Sequence, residues 1–173
     1  MKRLTLIIIL FNFSGAANSQ KTSEELGKAV FEILKSNTIQ YLDTLIPTSE
    51  EAVQIYKNQG FDVSKLAAKD FSEKYYKHIS KLKTRFQRLR DDTVHYNINW
   101  FRSEFGKTII KDKVLYNEDS TIRLKSTILE ILFTNAENKY IIKFYDVFNY
   151  NNVWKLGEDM SFNKSDEVPD KRQ

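Results

Sequence analysis

Apolar and polar positions change their spacing about halfway along this chain, and that change sets the first expectations. Thr22 followed three residues later by Glu25 has the form of a capping box, in which hydroxyl and carboxylate satisfy free amides at a helix start. Leu26, Ala29, Val30, Ile33 and Leu34 then recur at helical spacing, which predicts a first helix from about Ser23 to Ser36. After Asn37, the residues Ile39, Leu42, Leu45 and Ile46 share one face, and Pro47 lacks the amide hydrogen needed to continue, so a short second helix should end there. Ser49 is the expected cap of a third, with Glu50 and Glu51 in its first turn and Gly60 suited to a left-handed terminus. From Asp62 onward Val63, Ala67, Phe71, Tyr75, Ile79, Leu82, Phe86 and Leu89 keep steps of three and four, which predicts a fourth, long helix as the main helical wall of the core.

Beyond about Thr93, aromatic and β-branched residues begin to alternate with polar ones. Strands are expected near Lys113 to Asn117, Thr121 to Thr134, Lys139 to Tyr150 and Val153 to Phe162, with turns at Asn117-Glu118-Asp119 and Asn135-Ala136-Glu137-Asn138. Connections this short give antiparallel pairs. The stretch Val94 to Lys111 is read as a buried crossing with one short strand, carried by Trp100, Phe101 and Phe105. In Thr121 to Thr134 the apolar parity switches between Leu124 and Leu129, which predicts a one-residue bulge near Ser126 or Thr127; by the later parity Glu130 points outward. No repeat or linker divides the chain. Helices first and strands afterwards imply one α+β domain over 20–162: about four helices on one face of a curved antiparallel sheet of four to five strands, then a disordered polar tail over 163–173.

This order is similar to that of the NTF2-like and cystatin-like cone folds. The ending Tyr140-Ile141-Ile142-Lys143-Phe144-Tyr145-Asp146-Val147, then Asn151-Asn152-Val153-Trp154-Lys155-Leu156-Gly157, resembles the closing hairpin of small secreted Bacteroidetes proteins. The resemblance covers roughly the last forty structured residues and the helices only by order. It implies a cavity between helices and sheet, in a family with isomerases and dehydratases as well as domains that only bind; it carries over no functional residue.

The N-terminus adds a location. Lys2 and Arg3 precede an apolar run from Leu4 to Phe13 and the small residues Ser14 to Ser19, the three-part plan of a secretory signal. The run is far shorter than the ~20 residues of a membrane span, so cleavage is expected, after Ser19, leaving Gln20 first in a periplasmic or secreted protein. The alternative is a core element of a cytoplasmic protein. The chain has no cysteine, so neither a disulfide nor a thioether-linked lipid enters the picture. Without Lys2 and Arg3 the balance is 25 Lys and Arg against 23 Asp and Glu, a net of +2 instead of +4, so only local clustering of charge carries meaning.

Two features could carry chemistry. Strand parity places Asp146 with Tyr140, Ile142 and Phe144, and Glu158 with Trp154, Leu156 and Met160, so these carboxylates are the candidates for an acid-base group in an apolar cavity. The plainer alternative puts each at a strand end or bulge, reaching water. His78, beside the apolar stripe of the long helix, is expected to be a structural imidazole, and with His95 the only other histidine, no metal or cofactor site is expected. The glycines form no phosphate cradle and no nucleophile elbow.

The second feature is charge. From Lys74 to Arg90 the chain carries seven basic residues and no acidic one. Lys74, Lys77, Lys81, Arg85 and Arg88 fall within roughly 80° of one another at helical spacing, a basic ridge suited to a polyanion. Export disfavours intracellular nucleic acid, and a solvated face neutralised by neighbouring Asp and Glu is the plainer alternative. The leading expectation is a non-catalytic binding or interaction domain of the bacterial envelope, taking a small apolar or amphipathic ligand in its cavity or a protein partner, including a second copy, on its open sheet face. A small acid-base enzyme and a polyanion binder are the alternatives.

Overall fold

The first two α-helices begin where side chains are available to cap them. The computed structural model describes residues 20–60, 68–91, 96–116, 123–157 and 159–165. Helix α1 spans Ser23–Ser36 with both halves of the expected capping box: the Thr22 hydroxyl accepts from the Glu25 amide, and the Glu25 carboxylate accepts from the Thr22 amide. Asn37 closes it in the left-handed region, at φ 56. Helix α2, Ser49–Asn58, starts the same way, but its cap is Thr48 in place of the expected Ser49, because Thr48 has Glu51 three residues on to complete the box.

The expected second helix is a 3-10 helix, Ile39–Leu45. Thr38 makes no side-chain cap, and the Thr44 hydroxyl donates three residues back to the Tyr41 carbonyl, so nothing holds this piece in the wider α winding. Among the described residues three α-helices therefore stand where about four were expected. The third, α3, spans Ala68–Asp91 and buries Tyr75, Ile79, Leu82, Phe86 and Leu89 along the predicted stripe. The expected start of that stripe, including Asp62 and Val63, lies outside the described residues.

Strands β1 (Ser103–Tyr116), β2 (Arg123–Asn135), β3 (Asn138–Tyr145) and β6 (Asp159–Lys164) form one antiparallel sheet in the order β1-β2-β3-β6. β1 runs through most of the stretch that sequence pattern left with a single short strand. The register shift lies between Phe105 and Lys107 on β1, not near Ser126 or Thr127, where Lys113↔Ser126 and Asp112↔Thr127 pair without interruption. The extra residue is Gly106, whose position a Cβ would bring to 3.0 Å from the Leu132 carbonyl oxygen.

The long strand expected from Lys139 to Tyr150 is broken at Asp146, which adopts φ 56. The chain then leaves the sheet as a small hairpin, β4 (Phe148–Tyr150) and β5 (Val153–Lys155), turned by Asn151 and Asn152 at φ 52 and 61. This hairpin crosses to the helical side. The Leu156 amide donates to the Leu45 carbonyl at 2.7 Å, the Trp154 amide to the Gln20 carbonyl at 2.8 Å, and the Phe148 ring meets Tyr56 at 6.4 Å. Gly157 brings the chain back against the Tyr145 and Asp146 carbonyls, an approach with no room for a Cβ.

The helices pack on one face of the sheet, where Leu129, Ile131, Phe133, Ile142, Phe144 and Met160 meet Leu26, Val30, Leu82 and Phe86. Gly27 of α1 lies directly over Thr108 of β1, so close that a Cβ would strike the Thr108 side chain. The fold is thus α+β, with helices on one face of a four-stranded antiparallel sheet. β6 continues through Asn163 and Lys164, paired with Ile141 and Tyr140, where a tail was expected. The signal-like segment and residues 166–173 lie outside the described residues. Among the described residues no helix is long and apolar enough to cross a membrane.

Candidate functional site

At the end of the sheet where β2 turns into β3, the chain entering β1 folds back over the hairpin and leaves a polar cleft of about 460 Å³. Its floor is built by Asn135, only 6% exposed. The Asn135 amide nitrogen donates to the Asn99 carbonyl at 2.7 Å and to the Ser103 hydroxyl at 3.0 Å, while its oxygen accepts from the Asn99 amide at 3.2 Å. One side chain thus satisfies both backbone groups of Asn99, which otherwise have no strand partner. The Ser103 hydroxyl closes the ring by donating to the same Asn99 carbonyl at 3.0 Å.

Above this floor a short 3-10 helix, Trp100–Arg102, is capped by the Asn99 side chain, which accepts from the Arg102 amide at 3.3 Å. Adjacent side chains in so tight a turn cannot all face the core. Trp100 goes inward, 3% exposed and stacked on Phe133 at 5.2 Å, and Phe101 is left 85% exposed. A second anchor holds the segment: the Tyr140 hydroxyl donates to the Tyr96 carbonyl at 3.2 Å. Beneath lies a run of rings, Phe133 on Tyr140 at 5.3 Å and Tyr140 on Phe162 at 5.6 Å.

Asn97, Arg102, Glu104, Thr134 and Asn138 line the cleft, and among the described residues their side chains make no hydrogen bond or ion pair. Two lining residues hold left-handed backbone, Asn97 at φ 51 and Ala136 at φ 52. Asparagine tolerates that conformation; alanine adopts it at a cost of about 1 kcal/mol, which the surrounding hairpin must over-determine. The volume falls inside the range of sites that hold small ligands.

The residues singled out by sequence lie elsewhere. Asp146 is exposed at its left-handed turn, off the apolar face it was expected to share with Ile142 and Phe144, because β3 ends one residue earlier. Glu158 and His95 lie outside the described residues. His78 is exposed on α3. Lys74, Lys77, Lys81, Arg85 and Arg88 do share an exposed face of α3, but Arg85 is paired with Asp159 at the start of β6; the other four make no ion pair among the described residues. The gap between α2, α3 and the β4–β5 hairpin, bounded by Ile55, Tyr75 and Phe148, is an apolar space of about 10 Å³, the room of one water. No group of three or more His, Asp or Glu among the described residues is placed to hold a metal ion.

Among the described residues one carboxylate is buried. Glu130 points to the sheet face away from the helices, as its parity indicates, yet is 4% exposed. Lys111 reaches it at 2.7 Å and Lys143 at 3.1 Å from the two neighbouring strands. Desolvation pushes the Glu130 pKa upward and is the largest single influence, but the hydrogen bonds and charges of Lys111 and Lys143 together outweigh it and hold the carboxyl below its usual range. It is a neutralised structural charge, not a group poised to exchange protons near neutral pH.

No known protein family, curated protein or solved structure matches the chain.

The cleft escaped the sequence because its walls come from two segments about thirty residues apart. A signal was nevertheless present in Asn97-Ile98-Asn99-Trp100-Phe101, where two consecutive aromatics flanked by amides must send their rings different ways.

Proposed function

We propose that this chain is an exported, non-catalytic binding domain of the bacterial envelope or exterior, and that it takes its ligand in the polar cleft at the β2–β3 end of the sheet. The observation that carries the reading is the pairing of a fixed floor with free walls: Asn135 is committed to the Asn99 backbone and the Ser103 hydroxyl, whereas Asn97, Arg102, Glu104, Thr134 and Asn138 offer hydrogen-bonding groups with no partner among the described residues. The backbone that carries Asn97 and Arg102 is tied to the hairpin by Asn135, so less of the main chain has to be ordered when a ligand arrives, which favours affinity. The charge, apolar run and small residues of the N-terminus support export. The order of elements is in keeping with an NTF2-like or cystatin-like plan, and that kinship belongs to the proposal.

A second reading, polyanion binding by α3, is favoured by the shared exposure of Lys74, Lys77, Lys81, Arg85 and Arg88. One experiment separates the two. The precursor is expressed in a Gram-negative host, the exported form is weighed intact, and its amide resonances are followed while polar fragments and heparin are added. A mass starting at Gln20, with fragment-induced shifts confined to 97–104 and 134–138, is expected. An uncleaved chain overturns export, shifts absent from the cleft overturn the ligand site, and heparin-induced shifts along 74–88 select the second reading.

A further inference from the structure

Cleavage after Ser19 would leave Gln20 at the head of the chain, and the contacts of Gln20 determine what kind of chain end that is. Its carbonyl accepts from the Trp154 amide of β5 at 2.8 Å. One residue on, the Lys21 amide donates to the Glu25 carboxylate at 2.7 Å, and the Thr22 amide donates to the same oxygen at 3.1 Å. The chain on the α1 side of Gln20 is thus fixed by residues that cleavage leaves untouched. The Gln20 side chain is held differently: its oxygen is buried without a hydrogen-bond partner among the described residues, and none of them bonds the side-chain amide away from the backbone nitrogen.

A free α-amine on Gln20 would be both reactive and badly placed. The amine nitrogen and the side-chain Cδ close a five-membered ring, and an intramolecular attack of that kind is strongly favoured over its bimolecular counterpart. An ordinary chain-end amine has a pKa of about 7.7–8.0, so near neutral pH most of it is charged and some is free to react. An ammonium on a residue whose carbonyl is seated on the β4–β5 hairpin is partly stripped of water, which is unfavourable. The neighbouring charges offer little relief. Glu24 is paired with Lys28 at 2.8 Å, and Glu51 reaches Lys155, next to Trp154, at 3.8 Å. The Glu25 carboxylate, already bonded by two amides, is left to answer both Lys21 and the ammonium.

We propose that Gln20 is a modification site: the exported chain closes its first residue to a pyroglutamyl ring, and the neutral lactam takes the seat on β5. The α-amine nitrogen, in its neutral form, attacks Cδ of the Gln20 side chain. The N–Cδ bond forms, the Cδ–Nε2 bond breaks, one amine proton passes to the leaving nitrogen, and ammonia departs. No oxidant, water or second substrate is consumed. The chain end loses its charge, and the residue keeps the carbonyl that the Trp154 amide holds. This rests on the export reading, with cleavage after Ser19, and adds to it the chemical form of the mature chain end.

The exported form is weighed intact when first purified and again after prolonged incubation at neutral pH, and its first peptide is sequenced by tandem mass spectrometry. A chain that begins at Gln20 and becomes lighter by about 17 Da, the mass of ammonia, is expected, whereas Gln20→Asn, whose ring would have only four members, keeps its full mass. The thermal midpoint of the cyclised parent should exceed that of Gln20→Asn at about pH 6 and match it at about pH 9, because only the variant has an amine that must take up a proton as pH falls. The parent melted before conversion repeats the comparison with the side chain unchanged. An uncleaved chain overturns the export reading and the ring together. A chain cleaved at another residue, or one that begins at Gln20 and keeps its ammonia after incubation, overturns the ring while export stands. If the ring forms and the midpoints agree at the lower pH, the charged chain end is as well placed as the neutral one, and the seating of the lactam on β5 is overturned.

Discussion

On the side of the sheet that meets the helices, Leu129, Ile131, Phe133, Ile142 and Phe144 are at most 1% exposed. On the other side the same strands bury a carboxylate, Glu130, to 4%, with two lysines as its cover. The first side is held by area removed from water and by close packing, which care little about direction. The second depends on direction. Lys143 is the residue paired with Glu130 on β3, and Lys111 lies two residues beyond its partner Ile109 on β1. A slip of β2 by one residue would carry Glu130 into the apolar core and strand both lysines, so the cluster penalises the wrong register as well as stabilising the right one.

The contrast can be broken most severely from the packed side. Phe133→Ala removes a ring that touches Phe31, Trp100 and Tyr140, and a loss of about 3–5 kcal/mol is expected from urea unfolding. A loss under 1 kcal/mol would show that the helical face is not where stability resides.

Glu130→Gln probes the other side, with an expected loss of about 1–3 kcal/mol near pH 7. Because the folded carboxyl lies below its usual range, its contribution is complete above the ordinary glutamate value of about 4.3 and disappears as pH falls through the folded value. The parent should therefore lose stability on acidification more steeply than Glu130→Gln, as read from unfolding midpoints between pH 7 and pH 3. Equal slopes would mean that the lysines contribute coverage but no electrostatic stabilisation.

The smallest effect sharpens the packing side. Gly27→Ala improves helix propensity by about 1 kcal/mol yet drives a methyl into Thr108, so a net loss of about 1 kcal/mol is expected. Adding Thr108→Ala should recover it, since the Thr108 hydroxyl is buried without a hydrogen-bond partner among the described residues and its removal also opens the space. Failure of the pair to couple would place the strain elsewhere.

These residues also show what a sequence can carry. The capping boxes at Thr22 and Thr48 and the stripe from Tyr75 to Leu89 are local, and local patterns are legible. The break at Asp146 is not, because an aspartate at positive φ is imposed by the return of the chain at Gly157 and leaves no mark on strand alternation. β1 was obscured for another reason: it is an edge strand, and Glu104, Lys107 and Lys111 on its exposed positions, which protect it from pairing with other chains, also dilute its apolar pattern. Parity gave the direction of Glu130 but not its burial, which requires lysines from two other strands. The cleft required two distant segments at once.

The β4–β5 hairpin has a further consequence, for the order of events. It ties late residues to early ones: Trp154 to Gln20, Leu156 to Leu45, and the Lys155 ammonium to the Thr44 carbonyl, 111 residues away along the chain. Such contacts form only after a long loop has closed. A chain emerging from its N-terminus can wind α1 early, but the Gln20 carbonyl has no seat until the Trp154 amide arrives, so the residues just before α1 are among the last to find their place.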